Sequence, residues 1–172
     1  MPRFSDPEPL ATQHLLGGFT SGDGALDSWL LKHARSASGV GSARTYVTTD
    51  ADQARVVGYH ALTVAEIAHD DATRRVARGM PRYPIPAVLL ARLAVDRSVQ
   101  GRGLGSFLLR DAMTRAAAAA ETVGIRALLV HAASTEARAF YLYHGLEPSP
   151  TDEMHLMISI KGIHAAIGAA LR

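Results

Sequence analysis

The chain has 172 residues, 48% of them hydrophobic and 20% charged, which suits one folded domain with a substantial core. Its formal net charge of +2 excludes a uniform basic field for nucleic acid, so any such binding must rest on local patches. Cysteine is absent, which excludes disulfides, thiolate metal sites and a cysteine nucleophile.

Residues 1–12 read as a loosely ordered lead-in to a single domain spanning 1–172. Their polar, proline-rich start is unlike a signal peptide. No apolar run approaches the roughly 20 residues needed to span a bilayer, so a cytoplasmic location is expected. His14 to Phe19 reads as a short strand. Asp23 is a candidate N-cap for a helix of about residues 24–37, on which Leu26, Trp29, Leu30 and His33 follow helical spacing. Ser36 to Ser42 is a Gly/Ser-rich connector. Thr45 to Thr49 and Arg55 to Ala65 read as strands joined by a hairpin turn at 50–53. His69 to Tyr83 has no clean period and reads as a loop or short irregular helix. It carries Arg74, Arg75, Arg78 and Arg82 against Asp70 and Asp71.

An apolar strand from Ala87 to Val95 then runs into a glycine-rich turn. Leu104 to Val123 is a long, alanine-rich helix ended by Gly124. Asp111 and Arg115, four apart beside its apolar arc, are expected to pair at the rim. Ala127 to Ala132 follows as a buried-type strand, which makes a βαβ unit and hence a parallel pair. Thr135 to Tyr143 is a short helix with Ser134 or Thr135 as cap. Met154 to Ile160 is a last strand, and Gly162 to Leu171 has a helical pattern.

The turn is the most informative stretch. Gly101, Gly103 and Gly105 give the backbone freedom and keep side chains out of a ligand's way. Amides at the start of the following helix, together with its dipole, make an anion site suited to a pyrophosphate. The spacing excludes two other phosphate loops. A nucleoside triphosphate loop needs a Gly-Lys-Ser/Thr that is absent, and a dinucleotide fingerprint needs G-x-G-x-x-G in a first βαβ unit.

Gln100-Gly101-Arg102-Gly103-Leu104-Gly105 resembles the Q/R-x-x-G-x-G/A motif of the GNAT acyltransferases. The resemblance implies a mixed α+β fold: a central twisted, mostly antiparallel sheet with a parallel pair at the cofactor site, flanked by helices. It implies acetyl-CoA as co-substrate. Strand residues Leu93, Ala94 and Val95 would meet the pantetheine arm, with Gln100, Gly101, Arg102, Gly103, Leu104, Gly105 and Ser106 around the pyrophosphate.

A second segment, Ala137 with Phe140-Tyr141 and Gly145, resembles the A-x-x-F-Y-x-x-x-G-F segment of the same family, with Leu146 in place of Phe. The resemblance makes Tyr141 the general acid on the departing thiolate. A phenol of pKa about 10 is protonated at neutral pH and is able to donate as charge builds on sulfur. Tyr143, two positions on, points another way. His60, His69, His131 and His144 are base candidates by residue type only. No metal-ligand spacing is present, and no metal is expected.

Pro81-Arg82-Tyr83-Pro84-Ile85-Pro86 through Leu93-Ala94-Val95-Asp96 resembles a segment of GNAT-type toxins of the TacT and AtaT kind, from type II toxin–antitoxin pairs. The resemblance covers most of residues 14–160. It implies acetylation of the α-amino group of aminoacyl-tRNA, which blocks translation. It also implies neutralisation by a ribbon-helix-helix antitoxin, through which alone operator DNA is met; a homodimer is a further expectation. Basic residues expected to hold tRNA are Lys32, Arg35, Arg74, Arg75, Arg78, Arg82 and Arg92. The alternative is an N-acetyltransferase for a small-molecule or protein amine, which would prefer an acidic pocket for a polyamine or aminoglycoside; Glu66, Asp70 and Asp71 are the local candidates.

Overall fold

The computed structural model describes residues 3–170. In chain order the elements are β1 (Glu8–Pro9), α1 (Gly24–Lys32), α2 (Ala34–Val40), β2 (Arg44–Thr49), β3 (Val56–Ile67) and α3 (Arg74–Ala77). After these come β4 (Ile85–Val95), α4 (Leu104–Ala120), β5 (Ala127–His131), α5 (Thr135–Tyr143), β6 (Glu147–Pro148), β7 (His155–Ser159) and α6 (Ile160–Ala170). The strands form one sheet in the order β1-β2-β3-β4-β5-β7-β6. β4 and β5 pair in parallel, while β1–β2, β2–β3, β5–β7 and β6–β7 are antiparallel. This is the mixed fold expected from the sequence.

The chain divides into two compact units. One holds residues up to Thr63 and Ala91–Asp111; the other holds Val64–Leu90 and Ala112 onward. β3, β4 and α4 run through both.

In the first unit, β2 and β3 pair from Arg44↔Leu62 to Thr49↔Val56, with an irregularity at Thr48/Thr49. Residues near the start of the chain are ordered on this hairpin rather than loose. Glu8 and Pro9 pair with Val47 and Tyr46, and Ser5 N–H donates to Thr49 O at 2.9 Å. Only an isolated bridge, Leu15↔Arg55, stands where a strand was expected at 14–19. Asp23 caps α1 as expected, accepting from the Ala25 and Leu26 amides at 3.0 and 3.3 Å. The helix then breaks at His33, so the expected single helix is two. One apolar cluster joins Leu16, Phe19, Leu30, Val47, Val56, Tyr59 and Ala94. Another joins Val57, Val99, Leu104 and Leu108 with Leu93 and Val95. Gly58 permits the second. A Cβ there would lie 2.9 Å from Leu108 Cδ1, so the strand must lack a side chain for α4 to pack this close.

In the second unit, β4 and β5 pair from Ala87↔Ala127 to Leu90↔Val130, and β5 pairs with β7 from Ala127↔Ser159 to His131↔His155. Its core joins Ile67, Val76, Ile85, Ala87, Ala127, Leu129 and Met157. The two-residue β6 escaped sequence reading, being too short to carry a period. Ser134 caps α5, its Oγ accepting from Ala137 N–H at 3.1 Å. Among the described residues no helix is long and apolar enough to cross a membrane.

Candidate active site

The glycine turn belongs to the first unit. It is entered through Asp96, which is 1% exposed. Its Oδ1 accepts from Ser98 N–H and Oγ at 3.0 and 2.7 Å, and its Oδ2 from Thr20 N–H and Arg55 Nη2 at 3.0 and 3.1 Å. Burial pushes this carboxyl up, but hydrogen bonds from Ser98 and Thr20 and the Arg55 charge outweigh it, leaving it below the usual carboxylate range. Asp96 thereby closes a single 3₁₀ turn at Arg97–Val99. Sequence reading did not single out this role, although Asp followed two residues later by Ser is an Asx-turn pattern.

Gly101 and Gly103 follow with φ of +79° and +83°, the left-handed region that favours glycine. A Cβ built on either meets nothing within 4 Å. Neither glycine is therefore needed for internal packing. Their absence of side chains keeps the space over the turn open and the backbone sign correct. Gly105 differs from the expectation, since it lies in the first turn of α4 with ordinary helical geometry. Phe107 N–H donates to Gly103 O at 3.1 Å, so the helical ladder of α4 begins there, with Leu104 and Gly105 in the first turn ahead of it. They stand at the positive end of a 17-residue helix.

The other predicted turn residues divide by what they touch. Gln100 Nε2 donates to the Ser21 and Val95 carbonyls, both at 2.8 Å, and so braces the turn from its own side chain. Arg102 is exposed at the crest, Leu104 is buried in the core, and Ser106 is half-buried. On β4, Leu93 and Val95 pack with Val57 and Leu108, while Ala94 packs with Leu30 and Tyr59. Arg92 has the parity of Ala94, as strand alternation requires. Its Cζ sits 4.4 Å over the Trp29 ring, which itself stacks on Tyr59 at 6.0 Å.

Tyr141 belongs to the second unit. α5 turns it inward, to 7% exposed, and turns Tyr143 outward, to 86% exposed. Burial pushes the Tyr141 phenol up to about 12. Phe140 packs edge-on against it at 5.2 Å. The group stays protonated throughout the physiological range.

Of the histidines considered as bases, His60 is fully buried, with Nε2 2.7 Å from Asp111 Oδ2. Asp111 thus has a partner 51 positions away that helical spacing does not reveal. His131 and His144 are both held below the ordinary imidazole value, chiefly by burial. His131 stacks on His155 at 4.0 Å.

The basic candidates also divide. Arg74, Arg75, Arg78 and Arg82 are exposed on and after α3. Arg75 reaches Glu147 at 3.6 Å; among the described residues the other three side chains make no ion pair. Asp71, the acid nearest in sequence, is engaged elsewhere: its Oδ1 accepts from Thr151 Oγ1 at 2.6 Å. Lys32 is exposed in the last turn of α1. Arg35 Nη2 donates to His14 O at 2.8 Å. Glu66 and Asp70 are exposed, and the described residues hold no cluster of three metal-ligating side chains.

Residues 41–148 match the acetyltransferase (GNAT) domain family. The chain is a GNAT acetyltransferase. This acetyltransferase is 48% identical to a "tRNA-acetylating toxin" of Mycobacterium tuberculosis (strain ATCC 25618 / H37Rv) over 168 residues, 98% of this chain and 99% of that one. It also resembles AtaT solved in complex with acetyl-methionyl-tRNAfMet, at 28% identity and a TM-score of 0.88, covering 96% of this chain and 99% of the other. A tyrosine-to-phenylalanine variant of AtaT, bound to the C-terminus of the antitoxin AtaR and acetyl-CoA, matches at 28% identity and a TM-score of 0.81. It covers 95% of this chain and 98% of that one.

Acetyl-CoA is the donor for this acetyltransferase, and the turn suits its anionic pyrophosphate. Two left-handed glycines, open space above them and the positive end of α4 make a surface that would suit a negative charge.

Proposed function

We propose that this acetyltransferase acetylates the α-amino group of aminoacyl-tRNA and so inhibits translation as a toxin. A ribbon-helix-helix antitoxin neutralises it, and operator DNA is met through that antitoxin. The observation that carries the choice of acceptor is the arginine loop. Arg74, Arg78 and Arg82 are exposed and unpaired by acids among the described residues, which suits a polyanion. A cationic small amine would call for an acidic pocket. The acids nearest in sequence do not make one: Asp71 is held by Thr151, and Glu66 and Asp70 face solvent.

Bound acetyl-CoA supplies the acetyl group as a thioester. The amides after Gly103 hold its pyrophosphate, and Leu93, Ala94 and Val95 hold its arm. Tyr141 Oη keeps its proton at working pH and donates a hydrogen bond to the sulfur as the bond to it breaks. A phenol near 12 lies well above an alkyl thiol near about 8.5. Its contribution is therefore a hydrogen bond that stabilises the developing thiolate; the phenol keeps its proton, and the proton that the nitrogen loses on acetylation balances the one the departing thiol takes up from solvent.

The test is acetylation of a total charged-tRNA pool by purified enzyme with isotopically labelled acetyl-CoA, followed by mass spectrometry of the released aminoacyl groups. Labelled N-acetyl-aminoacyl ends on one or a few tRNAs support the reading. Labelling of a free amine or a peptide, with none on charged tRNA, overturns it.

A further inference from the structure

The second unit carries a stacked imidazole pair, His131 with His155, that the chemistry above does not use. β5 and β7 stay in register from Ala127↔Ser159 through Leu129↔Met157 to His131↔His155. Side chains alternate across a strand, so these six residues share one face of the sheet. Leu129 and Met157 pack there against Val76 of α3. Arg126, just ahead of β5, donates from Nε to Val76 O at 2.9 Å. α3 therefore covers the start of this face. His131 stands about 7 Å beyond Leu129 along the strand, and there the face opens, for His131 is exposed. The parallel pairing of β4 with β5 ends at Leu90↔Val130, so His131 is also the first residue of β5 past it.

One short segment, residues 152–154, holds this pair and the helix of Tyr141 together. Ala132 N–H donates to Met154 O at 2.7 Å, and Arg138 Nε donates to Glu153 O at 2.9 Å. Arg138 and Tyr141 lie three apart on α5 and share a side of it. The segment runs straight into His155, whose Nε2 is 3.5 Å from Asp152 Oδ2. Asp152 Oδ1 in turn accepts from Met154 N–H at 2.9 Å. The phenol on α5 and the imidazoles on β5 and β7 are thus fixed against the same few residues.

The stack selects what His131 is able to do. Its ring lies 4.0 Å from that of His155, at 22° between planes. Imidazole lone pairs lie in the ring plane, so two near-parallel rings do not converge on one ion at the roughly 2 Å a metal–nitrogen bond needs. Burial, and then the neighbouring His155, hold His131 below the ordinary imidazole value, against the pull of Asp152. At neutral pH the ring is therefore uncharged and carries a lone pair. Among the described residues neither of its ring nitrogens hydrogen-bonds a protein group. His60 differs, being fully buried against Asp111. His144 packs edge-on against Phe140 and Tyr143 at 4.8 and 5.2 Å.

We propose that His131 is the general base of the acetyl transfer, with His155 and Asp152 as its positioning residues. The proposal rests on the aminoacyl-tRNA reading above and gives that reaction its proton acceptor. The nitrogen lone pair attacks the thioester carbonyl carbon, and the carbon–sulfur bond breaks with its electron pair going to sulfur. The proton that the nitrogen sheds passes to a ring nitrogen of His131. Being exposed, His131 returns it to solvent, from which the departing thiolate takes one up, so the protons balance. A nitrogen that has just bonded to carbon is positively charged and strongly acidic, so a weak base suffices.

The experiment is the dependence of kcat and kcat/KM on pH, from pH 5 to 8, for charged tRNA with wild type, His131→Gln, His155→Phe and His144→Gln. In wild type, log kcat/KM should fall with slope 1 below about pH 7.7, as the α-amino group protonates. The slope should steepen to 2 as His131 protonates, below the ordinary imidazole value of about 6.5. His131→Gln should lose about 10²-fold in kcat, keep its KM for charged tRNA and its acetyl-CoA affinity, and show slope 1 throughout. His155→Phe keeps a ring in the stack and removes its charge, so the steep limb should move to higher pH. Imidazole added to the buffer should restore part of the rate of His131→Ala, which a merely structural role would not allow. A kcat for His131→Gln within about twofold of wild type overturns the proposal, since a base of this kind is worth far more. So does a fall in kcat with the slope of 2 retained, or loss of the steep limb in His144→Gln instead. Wild type that acetylates a free amine but no charged tRNA overturns the aminoacyl-tRNA reading, and the same profiles on that amine then decide the base separately.

Discussion

Arg55 Nη2 lies 3.1 Å from Asp96 Oδ2, at the point where β4 gives way to the glycine turn. Asp96 also holds the Thr20 and Ser98 amides, so one buried carboxylate ties the turn to two other stretches of the first unit. Asp96→Asn keeps the shape but replaces an acceptor oxygen with a donor facing donors. The expected cost is about 1–3 kcal/mol, a fall of roughly 3–10 °C in Tm for a chain of this length. The folded pKa is depressed, so this stabilisation is complete above the unfolded value of about 3.9 and is lost as pH falls through the folded value. The gap between wild type and Asp96→Asn should therefore narrow in melts taken from pH 6 down to pH 3. A gap that stays constant over that range would remove the carboxylate's charge from the account.

Gly103→Glu should fold yet fail to hold acetyl-CoA. A Cβ at Gly103 meets nothing within 4 Å, so the change costs only the strain of φ +83°, about 1–2 kcal/mol. The added carboxylate would then stand where the pyrophosphate is proposed to bind. Calorimetry should show acetyl-CoA affinity at least about tenfold weaker, since like charges brought together cost several kcal/mol. Unchanged affinity in a folded variant would place the pyrophosphate elsewhere.

Tyr141→Phe removes only the proton donor from a buried ring. Turnover should fall by about 10²–10⁴-fold, while acetyl-CoA binding persists. Because burial holds the phenol up to about 12, the wild-type pH–rate profile should show no alkaline decline from this group below about pH 10. If the profile falls near pH 9 and the fall vanishes in Tyr141→Phe, the phenol ionises far lower than its burial implies. If the variant turns over normally, the exposed Tyr143 becomes the residue to test.

Local signals carried much of this into the sequence. The turn at 100–105 is legible because two of its three glycines need a positive φ, and α5 because Ser134, Phe140 and Tyr141 fall at fixed helical offsets. Asp23 was legible as a cap for the same reason. What stayed hidden depends on long-range pairing. Nothing near His60 in sequence points to Asp111, and nothing near Arg126 points to the α3 carbonyls about 50 positions earlier. The lead-in at residues 1–12 reads as loose because Glu8–Pro9 carries no strand pattern of its own; the order of that pair comes from the edge of β2. The break at His33 likewise lacks a proline or glycine to announce it.

The arginines expected to meet tRNA should separate by experiment as they do by geometry. Arg78 and Arg82 are exposed and form no ion pair among the described residues, so reversing them removes charge without removing an internal contact of their side chains. Arg78→Glu with Arg82→Glu should weaken charged-tRNA acetylation and shrink its salt slope by roughly 2 if both touch phosphates. Acetyl-CoA binding should be spared. Arg35 is different. Its Nη2 donates to the carbonyl of His14, a buried residue whose ring also pairs with Glu8 at 2.7 Å. Arg35→Gln should lower Tm, through a loss of about 0.5–1.5 kcal/mol, and leave the salt slope nearly unchanged. Melting curves and a salt series on both variants decide the matter. Normal tRNA kinetics at every salt concentration in the Arg78/Arg82 variant would take that loop out of the tRNA surface. A reduced slope in Arg35→Gln, with an unchanged Tm, would move the surface toward α2.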